Sequence, residues 1–202
     1  MYLSKNDLEN ALRTKEIVVE PLFPNCINGA TIDLHLGKEF MVYKKGNRPI
    51  LDLKEDSETF MEKTSISIEE PFVLHSHEFA LGVLIERTGV NGNHIGILDG
   101  LSSLARAGIA VHITASTLNP GNSLCMTLEL FNFHDQPVNL YYGMPVAQIR
   151  FGKLTSPVPE EFLYKGYYEG TSPQPSKYYK NFIGDKNDWL DFVKKIEEKK
   201  SA

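Results

Sequence analysis

At 202 residues, with 42% hydrophobic and 23% charged residues, the chain is long enough to bury a core and has an ordinary globular make-up. A net charge of −5 and a pI near 5.7 argue against a non-specific nucleic-acid binder, whose affinity comes from Lys and Arg neutralising phosphates; a small anion needs only two or three cations. No apolar run is long enough to span a bilayer, residues 1–13 are too charged for a cleavable leader, and Cys26 and Cys125 fit neither a disulfide framework nor a zinc spacing. A cytoplasmic chain with packed thiols and no membrane or nucleic-acid partner is expected.

The first predicted element is a helix. Ser4 is placed as N-cap, Asp7 at the third helical position, and Leu3 against Leu8 as a hydrophobic staple. From Ile17 the pattern turns to strands, with Ile17-Val18-Val19, an alternating run at 31–36, and Phe40 to Tyr43, punctuated by Gly29, Gly37 and Gly46. Residues 44–70 read as a solvated excursion with a strand near Ile66 to Ile68.

Two strands, 72–75 and 78–86, flank a tight turn at Ser76-His77. His75, His77 and Glu78 there have a cupin-like ligand composition, set against the turn that would point them apart. Strands at 94–98, 138–141 and 144–151 complete ten or more between Ile17 and Phe151, the spacing of a sandwich or barrel. Residues 155–177, rich in Pro, Gly, Ser and Tyr, would drape over a surface, and 187–200 read as an amphipathic helix with Trp189, Leu190, Val193 and Ile196 on one face.

The chemistry concentrates in 98–133. Gly100 to Arg106 offers two hydroxyls, backbone N–H groups at a short helix opening and a guanidinium, a set that can hold a triphosphate. The same residues also fit a capped helix with Arg106 in an ion pair. In Met126-Thr127-Leu128-Glu129-Leu130-Phe131 the alternation puts Glu129 on the face of Thr127 and Phe131. There it reads either as a proton-shuttling carboxylate or as a solvent-facing strand glutamate.

The run GLSSLARAGIAVHITASTLNPG…LELFN…GMPVAQIRF resembles the dCTP deaminase branch of the dUTPase-like superfamily. Further matches are Ala30 to Gly37, Glu78 to Gly82, and Pro173 to Lys177. The resemblance covers residues 1–182 as one domain, leaving 183–202 as a C-terminal helical extension. It implies an all-β fold, a distorted β-barrel or jelly roll with a short N-terminal helix, assembled as a homotrimer with sites between subunits.

It also implies zinc-free hydrolysis of dCTP to dUTP and ammonia, in keeping with the missing H-x-E…P-C-x-x-C pattern, with magnesium carried on the triphosphate. By position, Glu129 would be the general acid/base, with Ser102 and the Ala115 carbonyl holding the attacking water. Leu101, Ser102, Ser103, Leu104, Ala105 and Arg106 would line the nucleotide, with Gln148 at the phosphates. Asn119 would meet the 3′-hydroxyl, Thr127 and Leu128 the base, and Phe162 and Gly170 occupy tail positions of the same site.

Four positions depart from the family pattern. Leu101 stands where the family has Arg or Lys, Asn119 where it has Asp, Gly170 where an ungapped reading puts the lid glutamine, and Phe162 where a tyrosine is expected just upstream, with Tyr164 or Tyr167 as substitutes in the altered lid. Besides the deaminase, a bifunctional deaminase and dUTPase forming dUMP stays open, as does a catalytically impaired nucleotide-binding trimer. A dUTPase proper lacks its stacking tyrosine after Asn119, and a cupin-like protein comes last.

Overall fold

The computed structural model describes residues 1–44, 46, 50–166, 168, 170–182, 193, 194 and 196–198. These form two compact units, Met1–Val42 with Lys63–Gln174, and Tyr43–Glu62 with Pro175–Ala202.

The first unit opens with helix α1, Lys5–Arg13, where Asp7 Oδ2 accepts from both the Ser4 hydroxyl (2.7 Å) and the Ser4 N–H (3.2 Å). Leu3 and Leu8 are buried beside it, so cap and staple form as the sequence predicts. The strands follow: β1 Ile17–Glu20, β2 Ile32–His35, β3 Glu39–Tyr43, β4 Met61–Ser65, β5 Phe72–Leu74, β6 Phe79–Val90 and β7 His94–Gly100. After helix α2, Ser102–Arg106, come β8 Ile109–Ala110, β9 Thr117–Leu118, β10 Ser123–Asn132, β11 Val138–Leu140 and β12 Pro145–Lys153.

The strands make three sheets: β4-β3-β6-β10-β8 with β1 also on β6, β2-β12-β7-β9, and β11-β5. The architecture is all-β as expected, but none of the sheets closes on itself, so the barrel is not a continuous hydrogen-bonded cylinder. Closure comes instead from packing. Ile32, Leu34, Leu98, Ile149 and Phe151 of one sheet share a single apolar cluster with Phe40, Ala80, Leu84, Leu128 and Leu130 of another. Phe40 stacks on Phe72 at 4.1 Å, and burying each such side chain contributes roughly 1.5–3 kcal/mol.

Two strand predictions shift. The strand expected at Ile66 to Ile68 lies earlier, at β4, and Ile68 is 79% exposed. At a sheet edge the backbone pairing does not require apolar alternation, so Glu62 to Ser65 pair while remaining exposed. The strand expected at 78–86 runs on to Val90 because Arg87 to Val90 pair with all four residues of β1.

One polar link crosses the apolar interior. Glu86, 1% exposed, accepts from the His35 backbone N–H at 3.0 Å and faces His35 Nδ1 at 2.6 Å, while Phe23 stacks on the imidazole. Cys26 and Cys125 are free and buried, and burial pushes both thiols up from their ordinary value.

In the second unit, Asp56 caps the 3₁₀ turn Ser57–Phe60 by accepting from Glu58 N–H at 3.0 Å. The helix expected over 187–200 falls largely outside the described residues; 193, 194 and 196–198 are helical. No described helix is long and apolar enough to cross a membrane.

Candidate active site

The strand β10 delivers Glu129 as its alternation predicts: Leu128 and Leu130 are buried, while Thr127, Glu129 and Phe131 lie half-buried on the other face. Two hydrogen bonds join this strand to the loop that follows β8. Glu129 N–H donates to Val111 O at 3.1 Å, and Glu129 Oε2 accepts from Ile113 N–H at 2.8 Å. The carboxylate is therefore oriented by backbone, with Oε1 making no hydrogen bond among the described residues. The same bond steers the loop toward Ala115, which is exposed two residues further on.

Thr127 ties a second segment to this face. Its hydroxyl oxygen accepts from Gln174 N–H at 3.0 Å, bringing the tail onto the strand that carries Glu129. Gly170 is held with φ +118, and the Gln174 carboxamide nitrogen lies 3.7 Å from the place a Cβ at 170 would occupy. A glutamine thus stands beside the position where the expected lid glutamine is missing. Phe162 is 75% exposed, and Tyr167 lies outside the described residues.

Helix α2 forms where Gly100 to Arg106 predicts it, with Ser102, Ser103, Ala105 and Arg106 exposed and Leu101 as N-cap. It reaches the strand through β8, whose Ala110 and Ile109 pair with Phe131 and Asn132. Asn119 heads a turn in which Asn122 N–H donates to Asn119 O at 3.0 Å and Gly121 takes φ +86, the Pro-Gly signature of type II. Gln148 lies on β12 between Asp99 and Asp33. Within one chain, then, Glu129, Thr127, Leu128, the 111–115 loop and the tail come together. Asn119 and Gln148 sit on other elements and Phe162 on an earlier part of the tail, with no hydrogen bond from any of them to Thr127, Leu128, Glu129 or the 111–115 loop among the described residues.

A polar cleft of about 420 Å³ opens beside the Asn119 turn, lined by Arg87, Asn122, Ser123, Tyr164, Lys165 and Tyr168. Arg87 Nη1 donates to Ser123 O at 2.9 Å. No local motif marks Arg87 as part of a site, since its neighbours in β6 read only as strand.

The His75, His77 and Glu78 trio is not assembled as a ligand set. Glu78 accepts from His75 N–H at 2.8 Å to close its own turn, and His77 Nε2 faces Asp135 at 3.1 Å. Among the described residues no three His, Cys, Asp or Glu side chains converge to hold a metal.

A family model described as dCTP deaminase-like matches residues 2–154. A protein of Methanopyrus kandleri named "dCTP deaminase, dUMP-forming" is 38% identical, covering 89% of this chain and 97% of its own length. Proteins of the same name from Dictyoglomus thermophilum and Corynebacterium diphtheriae are 36% and 34% identical over 98% and 90% of this chain, and each is covered over its full length. The crystal structure of the 2′-deoxycytidine 5′-triphosphate deaminase from Agrobacterium tumefaciens superposes with a TM-score of 0.58 at 17% identity. That match covers 74% of this chain and 47% of the other, and speaks to the fold alone. With the motifs, the open β architecture and near full-length relatives in agreement, the chain belongs to the dCTP deaminase family.

Proposed function

We propose that this chain hydrolyses dCTP at cytosine C4, releasing ammonia, and that the deoxyuridine triphosphate so formed is cleaved to dUMP and pyrophosphate. The observation that carries the first step is the Glu129 carboxylate, pinned through Oε2 by Ile113 N–H at 2.8 Å beside the loop leading to Ala115. Relatives that share the chain nearly end to end and bear the dUMP-forming name support the second.

In this reading Ser102 Oγ and the Ala115 carbonyl hold a water, and Glu129 takes its proton as the oxygen adds to C4. Glu129 passes that proton to N3, then takes the second proton from the new C4 hydroxyl and gives it to the amine as the C4–N4 bond breaks, so ammonia leaves, C4 becomes a carbonyl and the carboxylate ends as it began. Arg106, Ser103 and Gln148 serve the phosphates, and Gln174 supplies the tail carboxamide absent at Gly170. Magnesium would come in on the triphosphate, whose oxygens are the hard ligands this ion prefers. A second copy would complete the site, and the 57% exposure of Ile113 and 63% of Phe133 on neighbouring segments offers it apolar surface.

The test is incubation with dCTP and magnesium, reading ammonia and separating dUTP from dUMP. Ammonia with dUMP is expected. Ammonia with dUTP alone would remove the second step and implicate Asn119, whose amide can hold a hydroxyl but cannot serve as a base.

Restoring the missing cation supplies a second prediction. Leu101→Arg is expected to lower KM for dCTP roughly tenfold, the worth of one charge-assisted hydrogen bond of about 1.5 kcal/mol. An unchanged KM would show that residue 101 does not meet the triphosphate.

A further inference from the structure

Helix α2 is five residues long, too short to hold its shape by its own hydrogen bonds, and its last carbonyls need partners from elsewhere. One partner is His134. Its Nε2 lies 2.7 Å from the carbonyl oxygen of Ala107, the C-cap of α2. A carbonyl can only accept, so Nε2 carries the proton and donates.

The imidazole is placed there by two neighbours. Asn132, fully buried at the end of β10, spends its carboxamide on four bonds. Nδ2 shares its two hydrogens among the carbonyls of Leu74 (3.1 Å), His75 (3.1 Å) and Gln136 (2.9 Å), while Oδ1 accepts from His134 N–H at 2.9 Å. Gly108 provides the space. It adopts φ +69, and a Cβ there would come within 2.8 Å of His134 Nε2, so only glycine admits the ring to the Ala107 carbonyl. Phe133 N–H closes the same junction by donating to Gly108 O at 2.9 Å.

Asn132 lies three residues after Glu129 on one strand, whereas Ser102, Ser103 and Arg106 lie on α2. We propose that His134 is a positioning residue: its Nε2–H bond to Ala107 holds the α2 turn in register with Glu129, and Asn132 fixes the imidazole that makes the bond. The inference rests on the deaminase reading for its effect on rate, and on the bond itself for its effect on α2.

The experiment compares wild type, His134→Ala and His134→Gln in dCTP turnover, in global unfolding, and in hydrogen exchange at the amides of residues 102–108. Glutamine is chosen because its carboxamide N–H can reach the same carbonyl. His134→Ala is expected to lose about tenfold in kcat/KM, the worth of one hydrogen bond, and to exchange faster at 102–108, with the global unfolding midpoint little changed. His134→Gln is expected to recover both. Wild-type rate and exchange in His134→Ala would overturn the proposal, as would a loss that glutamine does not rescue or that follows global stability. If wild type releases no ammonia, the deaminase reading fails. The tie is then judged on exchange alone: faster exchange rescued by glutamine sustains it, and unchanged exchange overturns it.

Discussion

Glu129→Gln is expected to lower kcat for ammonia release from dCTP by about three orders of magnitude, within the 10²–10⁴ that a positioned acid/base contributes. The substitution is conservative in every respect but one. The amide oxygen can still accept from Ile113 N–H, which the carboxylate now does at 2.8 Å, so the loop toward Ala115 keeps its anchor. The strand also keeps its backbone bond to Val111. What disappears is a group able to take a proton from water and return it to the base. KM for dCTP should therefore change little while kcat collapses, the pattern of an interaction used only in the transition state. Ammonia release at near wild-type rate would remove Glu129 from the chemistry. Binding of dCTP without turnover in wild type would favour the non-catalytic reading.

The second large effect concerns stability. His35→Ala is expected to cost about 1–3 kcal/mol, because it leaves the buried Glu86 carboxyl without its side-chain hydrogen-bond partner. Glu86 is 1% exposed, and without the imidazole its carboxylate would keep only the His35 backbone N–H at 3.0 Å. The stacking of Phe23 on the ring would go as well. Urea unfolding should show a lower midpoint with an unchanged slope. The double variant His35→Leu with Glu86→Leu should recover part of the loss, since two apolar residues leave no unpaired carboxyl while the residue 35 N–H loses its acceptor. A loss below about 1 kcal/mol in the single variant, the range of exposed pairs, would show that water reaches Glu86 and screens it.

The residues that carry these two effects differ in how visible they are in the sequence. Glu129 is legible because strand alternation is local: Leu128 and Leu130 fix which face is buried, and Glu129 must take the other. The Ser4 and Asp7 cap, the turn at Asn119 and the short helix at Ser102 are legible for the same reason, since each arises within four or five residues. The His35 and Glu86 pair lies 51 positions apart and leaves no local trace. The Gln174 bond to Thr127 spans 47 positions and the His134 bond to Ala107 spans 27, and both depend on how strands register across the fold.

The all-β class, the order of most strands, the family motifs and the face on which Glu129 stands can be read from the residues alone, because periodicity, capping and turn chemistry are short-range. The folded chain is needed to see that the sheets stay open, that β4 begins at Met61 and β6 runs to Val90, and which distant groups orient Glu129 and α2. Strand pairing joins segments with no sequence relation to one another, and a buried polar group is satisfied by whatever the folded chain brings to it.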